Sequence, residues 1–398
     1  MHKYGLERAC SLLALAIALL PTALCRAELA QWSEPSIDNW FYRNSFSSGS
    51  RILGPSFAGV DVNSETMQFV ENSQNGPARS GTALLAFETT DLITAGLAPH
   101  RYAINSVTVS ARSQVGGFLY EDQPKTQGDL LAEALGAGIT EQQPIELFGV
   151  GFRESYIGFD LGLAGPGQRF AESDPAYSVS GYVAYPVIGD GAGAYHDVSN
   201  SYSGGFSETA AGNQTAPFDA MPWAIGETSL TAGQTVADDT TFSFEVDLNQ
   251  PGVTAYLQQS LAGGSVGFFL SSMHPAGFQG VGGGAYPQWY MKESVGLFAN
   301  AEAATLTIDF TILPLAGDYN GDGSVTPADY DSWVNSYGQT VSTPGMGADG
   351  NLDGVIDAAD YTVWRDNLQT TSGTAVPEPS TFAIASISVL VVSLRRRR

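Results

Sequence analysis

The sequence predicts a mainly β protein: a large β-sandwich or jelly roll, then a small helical segment built on two repeated loops, then a C-terminal apolar helix. Three observations predict this order. The 398 residues include 46 Gly and 20 Pro, too many turn formers for a mostly helical chain. Short segments between residues 28 and 313 alternate apolar and polar side chains, which is the period of β-strands. Two oxygen-rich loops recur near the C-terminus.

Residues 1–27 are predicted to be a secretory signal peptide. Lys3 and Arg8 precede the apolar run 12–20, and Pro21 followed by small residues closes the segment. A basic start, a short apolar stretch and a small-residue exit are typical of such signals. The protein is therefore expected to be exported.

Cleavage is expected after Ala27 or Cys25. A lipoprotein signal at Cys25 is the alternative, although Leu24 stands where such signals have a small side chain. Cys10 and Cys25 are the two cysteines of the sequence. A chain cut after Ala27 would thus have no disulfide, thiol nucleophile or cysteine-based zinc site.

The β-sandwich is predicted for residues 28–313. Residues 242–248 and 305–312 alternate strictly, so each strand should have one buried and one exposed face. Further strands are predicted at 84–87, 106–111, 179–187 and 266–271. One short helix is expected, because a single helical face carries Val253, Tyr256, Leu257 and Leu261, and Gly263-Gly264 follows as a stop.

The charge of the chain excludes some ligands. It has 17 basic and 41 acidic side chains, a formal net charge of −24 at pH 7. Nucleic acids and other polyanions are therefore not expected partners. Hard cations such as Ca²⁺ and uncharged glycans remain compatible with so acidic a protein.

Residues 318–369 contain an internal repeat with an offset of 31 residues. The first copy reads DYNGDGSVTPADYDSWVNSYG and the second DGNLDGVIDAADYTVWRDNLQ. Each copy matches a twelve-residue calcium loop, which places oxygen ligands at positions 1, 3, 5, 7, 9 and 12 and a sharp glycine turn at position 6. We therefore expect two Ca²⁺ sites, and coupled metal binding and folding of residues 316–370.

The expected ligands follow from these positions. Position 7 offers a backbone carbonyl and position 9 a contact through water. In the first loop the ligands are Asp318, Asn320, Asp322, Ser324, Thr326 and Asp329, and in the second they are Asp349, Asn351, Asp353, Val355, Asp357 and Asp360.

An aromatic helix is predicted after each loop. Val325 and Ile356 occupy position 8, where paired loops place an apolar side chain. The first helix has one apolar face formed by Tyr330, Trp333, Val334 and Tyr337, and the second by Tyr361, Trp364 and Leu368.

This loop-then-helix repeat resembles the dockerin module of cellulosome-type enzymes. The resemblance implies calcium binding and a cohesin domain as partner. Family members contact cohesin through loop positions 10 and 11, often Ser-Thr, whereas this chain has Pro327-Ala328 and Ala358-Ala359. A surface-anchoring or intramolecular role is therefore an open alternative.

The C-terminus, AVPEPSTFAIASISVLVVSLRRRR, combines Pro377, Glu378 and Pro379 with an apolar stretch at 381–394 and four terminal arginines. It resembles the PEP-CTERM sorting signal, predicted here for residues 377–398 after a linker at 371–376. The resemblance implies transient membrane association, with the basic tail cytoplasmic, and cleavage by an exosortase. An ordinary tail anchor is the alternative.

Parts of the sandwich resemble jelly-roll modules of the disaggregatase-related kind, found in secreted polysaccharide-associated proteins. The matching segments are 261–264, 267–270, 289–293 and 305–310. The resemblance implies an association with glycans.

No catalytic residues can be assigned from the sequence. Outside the signal peptide the histidines are His100, His196 and His274, and none lies in a metalloprotease or nucleophile motif, so each is expected at the surface or in a loop. Trp40, Trp223 and Trp289 are candidates for stacking on sugars, with core packing as the alternative.

The function predicted first is a secreted, non-enzymatic protein of the outer cell surface or extracellular matrix that carries a calcium-binding module and associates with polysaccharide. The alternative is a polysaccharide-degrading enzyme, an O-glycosyl hydrolase or a lyase, that carries a dockerin. A lectin-like binding module is a third hypothesis.

Overall fold

The structure is a computed structural model that describes residues 27–42, 52–125, 140–199, 221–276 and 285–368, together with 129, 132 and 133. Within these ranges it omits residues 59, 64–67, 72–78, 154, 163–166, 175–176, 179–180 and 343–344. The predicted signal peptide 1–27, apart from its last residue, and the predicted sorting signal 377–398 lie outside the described residues. One compact unit ends at Leu313 and a second begins at Pro314.

The first unit consists mainly of strands, in agreement with the predicted fold class. Its N-terminal strands are β1 Glu28–Trp32, β2 Ile37–Phe41, β3 Leu53–Pro55, β4 Phe57–Ala58, β5 Val60–Asn63, β6 Gln68–Glu71, β7 Arg79–Glu88, β8 Tyr102–Ser113, β9 Ile145–Phe152 and β10 Tyr156–Phe159. The remaining strands are β11 Gln168–Phe170, β12 Tyr177–Ser178, β13 Gly181–Tyr182, β14 Ala184–Gly189, β15 Tyr195–Asp197, β16 Ala224–Ile225, β17 Thr240–Glu245, β18 Ser265–Ser272, β19 Gln288–Tyr290 and β20 Thr305–Ile312.

Two large sheets form the sandwich among the described residues. The 6-stranded sheet has the order β1-β20-β8-β19-β3, with β17 also paired to β8. The 8-stranded sheet has the order β15-β14-β9-β18-β7-β2, with β16 paired to β9 and β4 to β7. Buried side chains of both sheets belong to one hydrophobic cluster. The smaller pairs are β5-β6, β10-β11 and β12-β13.

The alternating strands behave as predicted. Leu306, Ile308 and Phe310 of β20 are buried while their neighbours are partly exposed, and Phe242 and Phe244 of β17 show the same pattern. Each strand therefore contributes one face to the core.

The 8-stranded sheet is more deeply buried than strict alternation would allow. Every residue of β7 except its last is buried, and so is every residue of β18 except its first. Helix α1, Val253–Gly263, contacts β18 and buries Val253, Leu257 and Leu261. It ends at Gly264, whose φ of 81° is left-handed, as the Gly-Gly pair predicted.

A buried ion pair lies within this sheet. Arg79 of β7 donates to Glu146 of β9 across the intervening β18, with Nε 3.0 Å from Oε2 and Nη2 3.3 Å from Oε1. Both side chains are 1% exposed. Because both charges are removed from water, loss of either partner should cost more stability than loss of a surface ion pair.

The strand predicted at 179–187 is not continuous. Its described part is divided between β13, Gly181–Tyr182, and β14, Ala184–Gly189, which belong to different sheets. The apolar pattern alone cannot show where a strand changes partner, so this prediction was wrong in its extent.

The second unit contains two helices, α2 Pro327–Ser336 and α3 Ala358–Asn367. Across the described part of the chain, no helix is both long and apolar enough to cross a membrane.

Candidate calcium-binding site

The first loop is organised by its own acidic and amide side chains. Asp318 Oδ1 accepts hydrogen bonds from the backbone N–H groups of Gly321 (2.8 Å) and Asp322 (3.1 Å), and Oδ2 accepts one from Gly323 (2.8 Å). Asn320 Nδ2 donates to Asp322 Oδ2 at 2.9 Å. These bonds draw the backbone around the side-chain oxygens of positions 1, 3 and 5.

The second loop repeats this network. Asp349 accepts from the backbone N–H groups of Asp353 (3.2 Å) and Gly354 (3.0 Å), and Asn351 Nδ2 donates to Asp353 Oδ2 at 2.8 Å. Two segments 31 residues apart therefore reach the same geometry, as the repeat predicted.

The closing carboxylates at position 12 are fully buried. Asp329 Oδ1 accepts from the backbone N–H groups of loop positions 2 and 3 at 2.8 and 3.0 Å, and Asp360 Oδ1 accepts from the same positions of its own loop at the same distances. Both residues are 0% exposed. Each carboxylate thus joins the end of its loop to the beginning.

The residues at position 9 begin the helices. The Thr326 side chain caps α2 and forms a capping box with Asp329, and Asp357 caps α3 and forms one with Asp360. The closing acid therefore holds both the loop and the first helical turn in place.

The two repeats exchange hydrogen bonds through their tryptophans. Trp333 Nε1 donates to the Asp357 carbonyl, and Trp364 Nε1 donates to the Thr326 carbonyl, both at 2.8 Å. The Trp333 ring lies 5.3 Å from that of Tyr361. Each helix therefore contacts the position-9 residue of the other repeat, and neither loop is an independent turn.

Sequence reasoning missed a contact at loop position 2. Tyr319 donates its hydroxyl proton to the Asp360 carbonyl at 2.6 Å, and the matching residue of the second loop is Gly350. A Cβ atom at Gly350 would lie 2.3 Å from the Tyr319 hydroxyl oxygen. The sequence did contain a signal for this contact, because the two copies of the repeat differ here: the first has Tyr319 where the second has Gly350. Burial is the main cause that raises the pKa of Tyr319 above its usual range.

The predicted apolar helix faces are only partly buried. Val325 and Ile356 are buried, as expected for position 8, and Trp364 is 9% exposed. Val334 and Tyr337, however, are 46% and 56% exposed, so this end of the apolar face is not covered. The two short helices meet at their N-terminal aromatic residues, and their C-terminal side chains reach solvent.

The donor set suits a hard cation. Both loops present carboxylate, amide and backbone oxygens, which Ca²⁺ prefers. Gly323 and Gly354 have φ of 87° and 86°, the left-handed turn that position 6 requires. Among the described residues, one group of three acidic side chains has oxygens that all lie within 4.8 Å of one another. This group consists of Asp38, Glu172 and Glu293 and lies outside these loops. A cation in these loops would therefore need amide and carbonyl oxygens as well as carboxylates.

Comparison with protein families assigns this segment. Residues 316–369 match the family model of the Dockerin type I domain. Dockerin type I domains bind calcium and bind cohesin domains, and dockerin proteins are typically extracellular or at the cell surface. The match covers residues 316–369, called the dockerin segment below, and no part of the sandwich. A comparison of the chain with curated proteins finds no match.

Two of the tryptophans proposed for sugar stacking are core residues. Trp223 and Trp289 are each 1% exposed, and Trp289 Nε1 donates to Ser56 Oγ at 2.9 Å. Burial of both rings leaves no face for a sugar, so core packing is the correct interpretation. Trp40 is partly exposed and stacks on Tyr42 with ring centroids 5.2 Å apart.

The histidines differ in their environments. His100 is exposed, and His196 is partly buried with Nε2 3.0 Å from Asp190 Oδ2. His274 lies in the loop after β18, in agreement with the expectation of a surface or loop position, but it is 0% exposed. Its Nδ1 contacts Ser272 Oγ, and its Nε2 lies 3.3 Å from the Leu119 carbonyl oxygen. Burial is the main cause that lowers the pKa of His274 to about 3, so the ring is neutral.

Proposed function

We propose that this protein is exported and attaches a non-enzymatic β-sandwich to the cell surface or extracellular matrix through a calcium-dependent dockerin module. The observation that carries the proposal is the pair of matched loop networks joined by reciprocal tryptophan hydrogen bonds, in a segment that matches the Dockerin type I domain.

Two calcium ions are proposed, one for each loop. Six residues of the first loop would hold one ion: Asp318, Asn320, Asp322, Ser324, Thr326 and Asp329. The six counterparts in the second loop would hold the other: Asp349, Asn351, Asp353, Val355, Asp357 and Asp360. The two loops contain seven carboxylates, and two bound Ca²⁺ ions would offset four of these negative charges. The protein's part is to pre-order the oxygens, through the backbone hydrogen bonds to Asp318 and Asp349 and through the buried Asp329 and Asp360.

Calcium binding should therefore stabilise the dockerin segment within the full chain. Asp360→Asn keeps the size of the side chain but removes its charge, so we expect the loss of about one calcium ion per chain and faster hydrogen exchange in residues 316–369. Asp331→Asn is the matched control, because Asp331 is an exposed aspartate of α2 outside the ligand set. Equal calcium binding by both variants would contradict the assignment.

A cohesin-like domain is the proposed partner. Pro327, Ala328, Ala358 and Ala359, at loop positions 10 and 11, are all exposed. Their small apolar side chains differ from the Ser-Thr pairs that the family often uses, so the matching cohesin surface should be less polar. Biolayer interferometry with a panel of cohesins, in calcium and in chelator, tests this. Binding that survives both the chelator and Ala359→Arg would count against a dockerin-type contact.

Polysaccharide association and removal of the C-terminal segment by an exosortase complete the proposal. Mass spectrometry of the protein taken from its native surface would locate both ends of the mature chain. Incubating the purified protein with plant and algal polysaccharides tests the enzymatic alternative, since release of reducing ends or unsaturated sugars would require a hydrolase or a lyase.

A further inference from the structure

Three acidic side chains from distant parts of the sandwich converge at one place. Asp38 lies in β2, Glu172 follows β11, and Glu293 lies in the 3-10 turn Lys292–Ser294 after β19. One carboxylate oxygen of each residue lies within 4.8 Å of those of the other two. Carboxylates at this spacing repel one another unless a positive charge lies between them.

Several oxygens of this cluster are buried without a hydrogen-bond donor. Asp38 is 0% exposed, and its Oδ2 accepts a hydrogen bond from the Lys292 backbone N–H at 2.6 Å. Its Oδ1 is also buried, and no described residue donates a hydrogen bond to it. The same holds for Glu172 Oε1 and Glu293 Oε2 within the described part of the chain. A buried carboxylate oxygen that accepts no hydrogen bond destabilises the fold unless a bound ion or water contacts it.

The charge at the cluster is unbalanced. Lys292 Nζ lies 2.8 Å from Glu172 Oε2, 3.8 Å from Asp38 Oδ1 and 4.0 Å from Glu293 Oε1. It also donates to the Ser36 carbonyl at 2.8 Å. One ammonium beside three carboxylates leaves two negative charges uncompensated.

We propose that Asp38, Glu172 and Glu293 bind a divalent, oxygen-preferring cation, for which Ca²⁺ is the probe, at a site separate from the dockerin loops. All three ligands are carboxylates, which suit Ca²⁺ or Mg²⁺ better than zinc. Ligands from three unrelated segments favour Ca²⁺, because its coordination is more flexible than that of Mg²⁺. Two positive charges balance the net charge of the cluster with Lys292.

The position of the cluster indicates what the ion would do. Asp38 belongs to the 8-stranded sheet, whereas Glu293 lies in the connection between β19 and β20 of the 6-stranded sheet. Glu172 lies in the connection that follows β11. A shared cation would connect both sheets and this loop, and would stabilise the sandwich independently of the dockerin segment.

Calcium stoichiometry of the full chain tests the proposal. We expect about three ions per chain by equilibrium dialysis with elemental analysis, and about one in the loop double variant Asp329→Asn/Asp360→Asn. Glu293→Gln should lose about one ion from the wild-type protein and should remove the last ion from the loop double variant. Both Glu172 and Glu293 are about a quarter exposed, so these substitutions are compatible with folding. Glu245→Gln, at an exposed strand position, is the matched control.

The outcomes separate this proposal from the proposed function. If the loop double variant binds no calcium, or if Glu293→Gln and Glu172→Gln bind as much as the wild-type protein, the site in the sandwich is refuted while the loops stand. If the loop variant loses nothing but Glu293→Gln loses an ion, the dockerin assignment fails and the sandwich site stands.

Lys292→Met provides a second test. Removing a like charge beside the site should tighten calcium binding there by about tenfold, measured in the loop double variant. If Lys292 is instead the sole cation of the cluster, the Lys292→Met protein will melt at a lower temperature and calcium will not restore it. That result would overturn the proposal.

Discussion

His274 should make the sandwich sensitive to acid. The ring is fully buried, and it packs edge-on against Phe118 with centroids 4.8 Å apart. Burial lowers its pKa from 6.5 to about 3, and the positive charge of Lys125 acts in the same direction. Between these values the unfolded chain binds a proton that the folded chain does not. The free energy of unfolding therefore falls as the pH falls from 6.5 towards 3.

The size of this effect follows from the shift. A pH of 5 is about 1.5 units below the pKa of the histidine in the unfolded chain, so that ring is protonated there. The ring in the folded protein is still neutral at this pH. At about 1.4 kcal/mol per unit, His274 should destabilise the fold by about 2 kcal/mol relative to pH 7.5.

Urea unfolding at pH 7.5 and pH 5.0, followed by circular dichroism in the strand region, measures this loss of unfolding free energy. His274→Gln removes the titration, so the wild-type protein should lose about 2 kcal/mol more than this variant on acidification. Other titrating groups, such as Glu146, are common to both proteins and cancel in the difference. His100→Gln, at an exposed position, should behave as the wild type does. An equal pH dependence in the wild-type and His274→Gln proteins would refute the reasoning.

Three further predictions concern packing. Trp364→Phe removes an indole donor to the other repeat and leaves a carbonyl without its partner, so the local stability of residues 316–369, measured by hydrogen exchange, should fall by about 1–3 kcal/mol. Glu146→Ala removes the carboxylate that faces the buried Arg79 guanidinium and should cost about 3–5 kcal/mol in urea unfolding, more than Glu146→Gln. Gly149→Ala places a Cβ 2.1 Å from the Trp223 ring and should lower the free energy of unfolding by about 1–3 kcal/mol. At Gly263 a Cβ would meet nothing within 4 Å, so Gly263→Ala should stabilise α1 by about 0.5–1 kcal/mol.

The loops were predictable because their information is local. Asp318 and Gly323 act within one turn of chain, so spacing alone identified the positions that the hydrogen bonds now join. The helix at Val253–Gly263 was predictable for the same reason, since one apolar face and a terminal Gly-Gly pair specify it.

The packing of tryptophans was not predictable. Trp223 and Trp40 are the same residue type, yet one is buried and the other partly exposed. Their exposure depends on which strands and helices lie above them, and a linear sequence does not show which elements become neighbours. The exposed ends of α2 reflect the same limit, because the helical period identifies a face but not the length over which a partner covers it.

The sequence by itself determined the β character of the body and the duplicated loops with the spacing of their oxygen-bearing side chains, because periodicity, composition and turn chemistry act over a few residues. The tertiary structure alone decided which side chains from distant segments meet. The burial of His274, the Arg79–Glu146 pair across β18 and the convergence of Asp38, Glu172 and Glu293 all depend on it. Contacts between residues far apart in the sequence arise only when strands find their order in the sheets, and that order is a property of the whole fold.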